Sequence, residues 1–237
     1  VQAKLKAVNA MCFDVSAACS GFITALDIAA SMLKAGSYKY ALVIGSEKMS
    51  EIVNWKDRSV CVLFGDGAGA VVLKAVDNNT EDVTGDLVGH ERGIIDSNIY
   101  NDGTGASVLI GGRRFSDSCS TDIFIHMDGQ EVFKFAVKSV PTAIETLLHN
   151  NNMDINDVDK FILHQANVRI IESVAKRLKA DKDKFPVNLN EYGNTSSASI
   201  PILLDELNRN GSLKQGEKLV LAGFGAGLSW GSILLVW

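Results

Sequence analysis

The sequence predicts an α/β fold assembled from two copies of one unit, and three observations carry that expectation. Short apolar runs alternate with helical patterns along most of the 237 residues, as they do when helices cover the strands of a sheet dominated by parallel pairs. The order strand, polar turn, helix, strand in residues 13–45 returns in residues 186–223, which reads as an internal duplication. The glycine-rich turn Phe64-Gly65-Asp66-Gly67-Ala68-Gly69, leading into a strand, has a counterpart in Phe224-Gly225-Ala226-Gly227.

The elements follow in order. Residues 1–7 have the spacing of the last turns of an amphipathic helix, and a chain that opens on Val1 without methionine raises the expectation of a further segment upstream. Residues 11–15 read as a strand running through the small-residue turn Ser16-Ala17-Ala18 to Cys19. A helix follows over 20–35, where Phe22, Ile23, Leu26, Ile28, Ala29, Met32 and Leu33 recur at helical spacing until Gly36 stops it. Residues 40–45 are the next strand; a polar stretch over 54–58 precedes a further apolar run, Cys61 to Phe64, and the glycine turn then delivers a strand over 70–73. Residues 77–120 are rich in Asn, Asp, Gly and Ser, which predicts an inserted loop region with a hairpin, placed to serve as lid or mouth. From Gly129 a helical pattern runs to the Asn150-Asn151-Asn152 stop with a kink at Pro141. Strands over 161–164, 186–189, 218–222 and 232–237 and helices over 167–179 and 196–208 complete the chain. The organisation expected is an N-terminal half over 1–76, an insertion over 77–127 and a C-terminal half over 128–237.

Composition excludes several classes of function. With 46% hydrophobic residues the chain can bury a large core, yet it contains no stretch of the ~20 apolar residues that a membrane span needs. A net charge of -5 and no run of Lys or Arg beyond a pair argue against nucleic acid. The four cysteines, Cys12, Cys19, Cys61 and Cys119, show no CxxC spacing and no neighbouring histidine cluster. That pattern speaks against zinc and for a reduced, cytoplasmic setting, and no secretory leader is visible.

Cys19 is the first candidate for chemistry. At the first turn of a helix, unpaired N–H groups and the positive end of the dipole favour an anion, which predicts a thiol more acidic than a free one at about pKa 8.5. A small buried cysteine under a turn is the competing reading. His164 closes a strand and opens a helix, and Asn194 in Gly193-Asn194-Thr195 falls at the junction equivalent to Cys19 in the second unit. Ligands bind at the carboxyl ends of strands in open sheets, so all three junctions are expected to face one pocket. His90, His126 and His149 read as surface or structural residues.

Cysteine, histidine and asparagine support two chemistries. One is a papain-like triad, with which the order and the Cys19-to-His164 spacing agree but the residues around Cys19 do not. In the other, cysteine carries an acyl group while histidine and asparagine donate hydrogen bonds to a thioester oxygen, each such donor being worth ~10²–10³ in rate. The glycine-rich turns lack the helix that must follow a phosphate loop. They read either as plain structural turns or as the floor of the site, with the N–H of Ala226 joining that of Cys19 in an oxyanion hole.

Residues 14–22, 64–70, 164–170, 193–201 and 223–232, which contain the segments Ser16-Ala17-Ala18-Cys19-Ser20-Gly21-Phe22, His164-Gln165-Ala166-Asn167 and Gly225-Ala226-Gly227-Leu228-Ser229-Trp230-Gly231, closely resemble the motifs of β-ketoacyl-acyl carrier protein synthase III. The resemblance covers essentially the whole chain. It implies a thiolase-like fold, two pseudo-repeated halves in a layered α-β-α-β-α core with the N-terminal half incomplete. It also implies a cytoplasmic homodimer that starts fatty acid synthesis by decarboxylative condensation of an acyl-CoA primer with malonyl-acyl carrier protein, needing no metal or redox cofactor. Cys19, His164 and Asn194 become the catalytic set. Position by position, Arg58 and Asn167 look like CoA contacts, Met127, Gly129 and Gln130 lie near the pantetheine arm, and Leu63 and Phe64 line the tunnel. Arg169 looks like part of a docking patch for the acidic carrier protein. Ala226 stands where many relatives have glycine, and the strands and adenine-clamping pair that the family carries upstream have no counterpart here. A condensing enzyme of secondary metabolism, a thioester hydrolase on the same triad and a non-catalytic scaffold are the alternatives.

Overall fold

The computed structural model describes residues 1–76, 92–111 and 123–237, with the backbone of 80–81 and 87–88. One exposed helical turn, α1 (Gln2–Leu5), opens the chain, and residues 11–17 follow without regular structure. The strand expected over 11–15 is thus absent. Among the described residues no strand lies beside it to take its backbone hydrogen bonds, and Met11 and Phe13 stand exposed. A 3₁₀ turn over Ala18–Ser20 leads into α2 (Gly21–Lys34), which buries the expected Phe22, Ile23, Leu26 and Leu33 together with Ala30, while Ile28, Ala29 and Met32 are half-buried.

Next come β1 (Tyr40–Glu47) and β2 (Gly67–Lys74), an antiparallel pair in register from Tyr40 opposite Lys74 to Glu47 opposite Gly67. Residues 61–63 between them are turns rather than a strand, and Phe64 makes a single parallel bridge to Asn194. In the region expected to be an insertion, β3 (Thr80–Glu81) pairs with β4 (Leu87–Val88), and β6 (Leu109–Ile110) with β7 (His126–Met127); β5 (Gly93–Asn101) lies between the two pairs in the chain. His90 and Cys119 lie outside the described residues, as does much of the expected lid. The chain continues through α3 (Gly129–Asn150), β8 (Lys160–Leu163), α4 (Val168–Leu178), α5 (Leu189–Tyr192), α6 (Ser199–Arg209), β9 (Lys218–Gly225) and β10 (Ser229–Val236).

Four of these strands form one sheet in the order β5-β10-β9-β8, in which only β8 and β9 are parallel. The expectation of a sheet dominated by parallel pairs fails: β5–β10 and β9–β10 are antiparallel, the latter because β9 reaches β10 through Ala226–Leu228, and three residues can join only antiparallel neighbours. The segment 186–189, also expected as a strand, has no regular structure over 186–188 and enters α5 at Leu189. The Asn188 N–H donates to Gln165 Oε1, so a side chain takes the bond that a neighbouring strand would have taken, and its Nδ2 donates to Glu206 Oε2.

Apolar faces stack these elements into layers. α2 and α6 lie between the β1–β2 ladder and the four-stranded sheet, burying Phe22, Ile23, Ile200 and Leu203 against Val43, Leu219, Leu221 and Ile233. α3 and α4 cover the other face through Ile144, Leu147, Ile171 and Val174 against Phe161, Leu163, Val220 and Leu234. The described residues therefore build four of the five expected layers, and Tyr40, Leu42, Ile44 and Val72 on the outer face of the ladder are exposed. Close approach between layers needs glycine: a Cβ on Gly69 would stand 2.8 Å from the Ile202 nitrogen of α6. Pro141 is accommodated inside α3. The carbonyl of Val137, deprived of its helical donor four residues on, accepts instead from Arg177 Nη1 of α4 at 3.4 Å.

Candidate active site

Cys19, His164 and Asn194 line one apolar cavity of about 310 Å³ at the carboxyl ends of the strands, together with Leu63, Phe64, Met127, Gly129, Asn167 and Ala226. Each arrives by a different local device. Cys19 sits in the 3₁₀ turn ahead of α2, after Ala18 in the left-handed region at φ 46°. Ser20, its neighbour, is tied to Ser229 of β10 by a hydroxyl contact of 2.6 Å. Gly225 at the end of β9 backs directly onto the cysteine, since a Cβ there would lie 2.9 Å from both the nitrogen and the Cβ of Cys19.

His164 extends β8, its N–H donating to the Ala222 carbonyl at 2.8 Å. Its ring is 1% exposed, edge-on to Phe224 with centroids 5.2 Å apart. Nδ1 lies 2.7 Å from Ser199 Oγ, and that oxygen accepts from the Gln165 N–H. Ser199 is buried and its hydroxyl has no other acceptor among the described residues, so it donates to Nδ1, which assigns the imidazole proton to Nε2. Asn194 is pinned by its backbone, donating to the Leu63 carbonyl at 2.8 Å and accepting from Gly65 N–H at 3.0 Å. Its Oδ1 accepts from the Ser196 N–H at 2.9 Å, so Nδ2 is left as its donor. The site thus presents one sulfur and two neutral donors.

The electrostatics reverse one expectation. Burial, the largest influence, pushes the Cys19 thiol up to about 11; the Ser196 hydroxyl opposes that shift, Glu47 adds to it, and the cysteine's own N–H opposes it. The acidic thiol predicted from a helix N-terminus is not what the fold makes, because α2 begins only at Gly21 and desolvation of a thiolate outweighs a dipole. Burial also lowers the His164 pKa to about 3, so the ring is neutral at physiological pH. The unfolded chain protonates this histidine below about 6.5 and the folded chain only near 3. Stability tied to His164 is therefore complete above about 6.5 and falls as pH drops from there towards 3. Urea midpoints measured along that range should decline less steeply in His164→Ala than in the parent.

The remaining expected residues are distributed around the mouth. Gln130 lies on an open groove of about 640 Å³ shared with Asp57, His126, Met127 and Gly129. Asn167 lines the cavity but also caps α4, its Oδ1 accepting from Arg169 N–H at 2.9 Å, which leaves Nδ2 for a ligand. Arg58 is exposed in the loop whose neighbours Asp57 and Ser59 reach the groove and the cavity; Arg58 itself lines neither. Arg169 is exposed in the first turn of α4, and His126 and His149 are exposed. Cys12 and Cys61 are free thiols, and among the described residues no group of His, Cys, Asp or Glu is arranged to hold a metal. Ser199, Ser196 and Glu47 were missed from the sequence. The serine-rich run after Asn194 and the position of Glu47 at a strand end were the available signals.

Solved structures with this architecture are thiolase-like condensing enzymes. The 3-oxoacyl-[acyl-carrier-protein] synthase III of Aquifex aeolicus superposes with a TM-score of 0.89 at 45% identity, over 100% of this chain and 70% of that one. The priming β-ketosynthase of the R1128 polyketide biosynthetic pathway superposes with a TM-score of 0.86 at 37% identity, over 99% and 68%. The 3-oxoacyl-[acyl-carrier-protein] synthase III family model matches residues 13–103 and its C-terminal companion residues 148–237. The β-ketoacyl-[acyl-carrier-protein] synthase III of Clostridium acetobutylicum is 46% identical over all of this chain and 71% of its own length. The chain belongs to the β-ketoacyl-[acyl-carrier-protein] synthase III family.

Proposed function

We propose that this chain carries the active site of an acyltransferase that condenses an acyl-CoA primer with malonyl-acyl carrier protein and so initiates fatty acid biosynthesis. The observation that carries this reading is the meeting of Cys19, His164 and Asn194 on one apolar cavity. In the first half-reaction the Cys19 sulfur attacks the primer thioester; the S–C bond to CoA breaks and the thiol proton leaves with the CoA sulfur. The N–H groups of Cys19 and Ala226 stabilise the oxyanion. In the second, malonyl-acyl carrier protein loses CO₂ and its electron pair moves onto the thioester oxygen. His164 Nε2–H and Asn194 Nδ2–H stabilise that enolate in a dry pocket, where a fixed donor is worth most. The enolate carbon then takes the acyl group from Cys19.

No metal or redox cofactor takes part in this scheme. Leu63 and Phe64 would bound the acyl tunnel, Met127, Gly129, Gln130 and Asn167 the pantetheine arm, and Arg58 and Arg169 would meet CoA and the carrier protein at the mouth. The enzyme works as a cytoplasmic homodimer in this reading. A second reading, priming of a polyketide rather than a fatty acid, is favoured by the 37% identity to the R1128 priming enzyme. The test is intact-mass measurement after incubation with acetyl-CoA: one acyl adduct on Cys19 is expected, absent in Cys19→Ala. Free acid in place of a β-ketoacyl product on adding malonyl-acyl carrier protein would make the site a hydrolase.

A further inference from the structure

Glu47, the last residue of β1, lines the same cavity as Cys19. The reaction outlined above gives an anion there no part, yet the carboxylate is half-buried and held. Ser197 Oγ donates to Glu47 Oε1. Ser197 adjoins Ser196, which lines the cavity beside Cys19, acts to lower the thiol pKa and has a left-handed backbone at φ 50°. The strand and this turn touch through the main chain as well, since a Cβ on Gly45 would stand 2.7 Å from the Ser197 oxygen. The titratable side chains on the cavity wall are Cys19, Glu47 and His164. With the imidazole neutral, Glu47 is the formal charge facing the sulfur among the described residues.

Resting on the reading of Cys19 as the acyl carrier, we propose that Glu47 is a positioning residue for it. Its carboxylate anchors the Ser196–Ser197 turn, which shares the cavity wall with Cys19, and places a negative charge facing the sulfur. A negative charge nearby disfavours the thiolate, so the sulfur released at the end of the cycle takes up a proton readily. When the enolate carbon bonds to the acyl carbon, the C–S bond to Cys19 breaks, the electron pair stays on Sγ, and a proton from solvent water returns it to the resting thiol.

The experiment follows alkylation of Cys19 in the full chain by iodoacetamide across about pH 8 to 12, read by peptide mapping because Cys12 and Cys61 are also free thiols. Glu47→Gln keeps an acceptor for Ser197 but removes the charge, and its midpoint should fall by about one pH unit. At neutral pH that gives about tenfold more thiolate, each intrinsically about threefold less nucleophilic, hence a net rate rise of roughly threefold. Glu47→Asp should stay near the parent. Ser197→Ala, which releases the anchor and keeps the charge, should move the midpoint upward. An unchanged midpoint in either Glu47→Gln or Ser197→Ala overturns the proposal, including when thermal stability falls, because a merely structural carboxylate would lower stability and leave the titration alone. Failure of the parent to take an acyl group on Cys19 would instead overturn the acyl-carrier reading.

Discussion

His164→Ala is expected to take an acyl group onto Cys19 at close to the parent rate while losing roughly 10²–10³-fold in malonyl decarboxylation and condensation. The split follows from protonation and geometry. A ring held neutral by burial, with its pKa near 3, is not an imidazolium that would lower the thiol pKa. Its Nδ1 is turned to Ser199 at 2.7 Å, which leaves Nε2–H as a donor into the cavity. Such a donor matters most where charge develops, on the enolate oxygen, and least where the sulfur attacks. Acylation is read by intact mass and decarboxylation by release of CO₂ from malonyl-acyl carrier protein. Equal loss of both half-reactions would identify His164 as the base for the thiol instead. Asn194→Ala should behave similarly in decarboxylation, because the anchored amide offers the second donor.

Gly225→Ala is expected to cut acylation of Cys19 by about 10²-fold or more and to destabilise the fold by about 1–3 kcal/mol. The added carbon would stand 2.9 Å from the Cys19 nitrogen, 2.9 Å from its Cβ and 3.3 Å from its Cα. Two of those three atoms are backbone, so relief requires the whole turn before α2 to move. That turn is tied to Ser229 through Ser20 and already contains Ala18 at φ 46°, so it has little freedom to yield. Displacement of the sulfur by a fraction of an ångström spoils its approach to the thioester carbon. Thermal unfolding combined with an acylation time course separates the two losses. A folded variant that acylates at the parent rate would show that the contact between β9 and Cys19 is incidental.

Much of the site was legible because its residues lie at junctions that hydrophobic periodicity locates without a structure. Cys19 precedes a helix with a clear apolar face, His164 ends Phe161-Ile162-Leu163, and the turn carrying Asn194 repeats the first junction. The motifs around them carried the family resemblance as far as the catalytic set, the glycine turns and Asn167. Local pattern says nothing about a missing neighbour. Residues 11–15 and 186–189 read as short strands and are not strands, because sheet hydrogen bonds need a partner and none lies alongside among the described residues. Nor does it say how deep a group lies. A cysteine at a helix mouth reads as acidic from sequence, whereas burial and the Glu47 carboxylate at the end of β1 raise its pKa.

Most of the helices and strands and the three junction residues that meet at the cavity were thus determined by the sequence alone, since each depends on spacing within a few turns of chain. Tertiary structure alone decided the direction of strand pairing, the tautomer of His164 through Ser199, the backbone of Gly225 against Cys19, and the approach of Glu47 to the sulfur. The tautomer and the Gly225 contact join residues 35 and 206 positions apart, the pairing joins separate strands, and Glu47 reaches the cavity from the end of β1. Distance in the chain carries no information about them until the layers have packed.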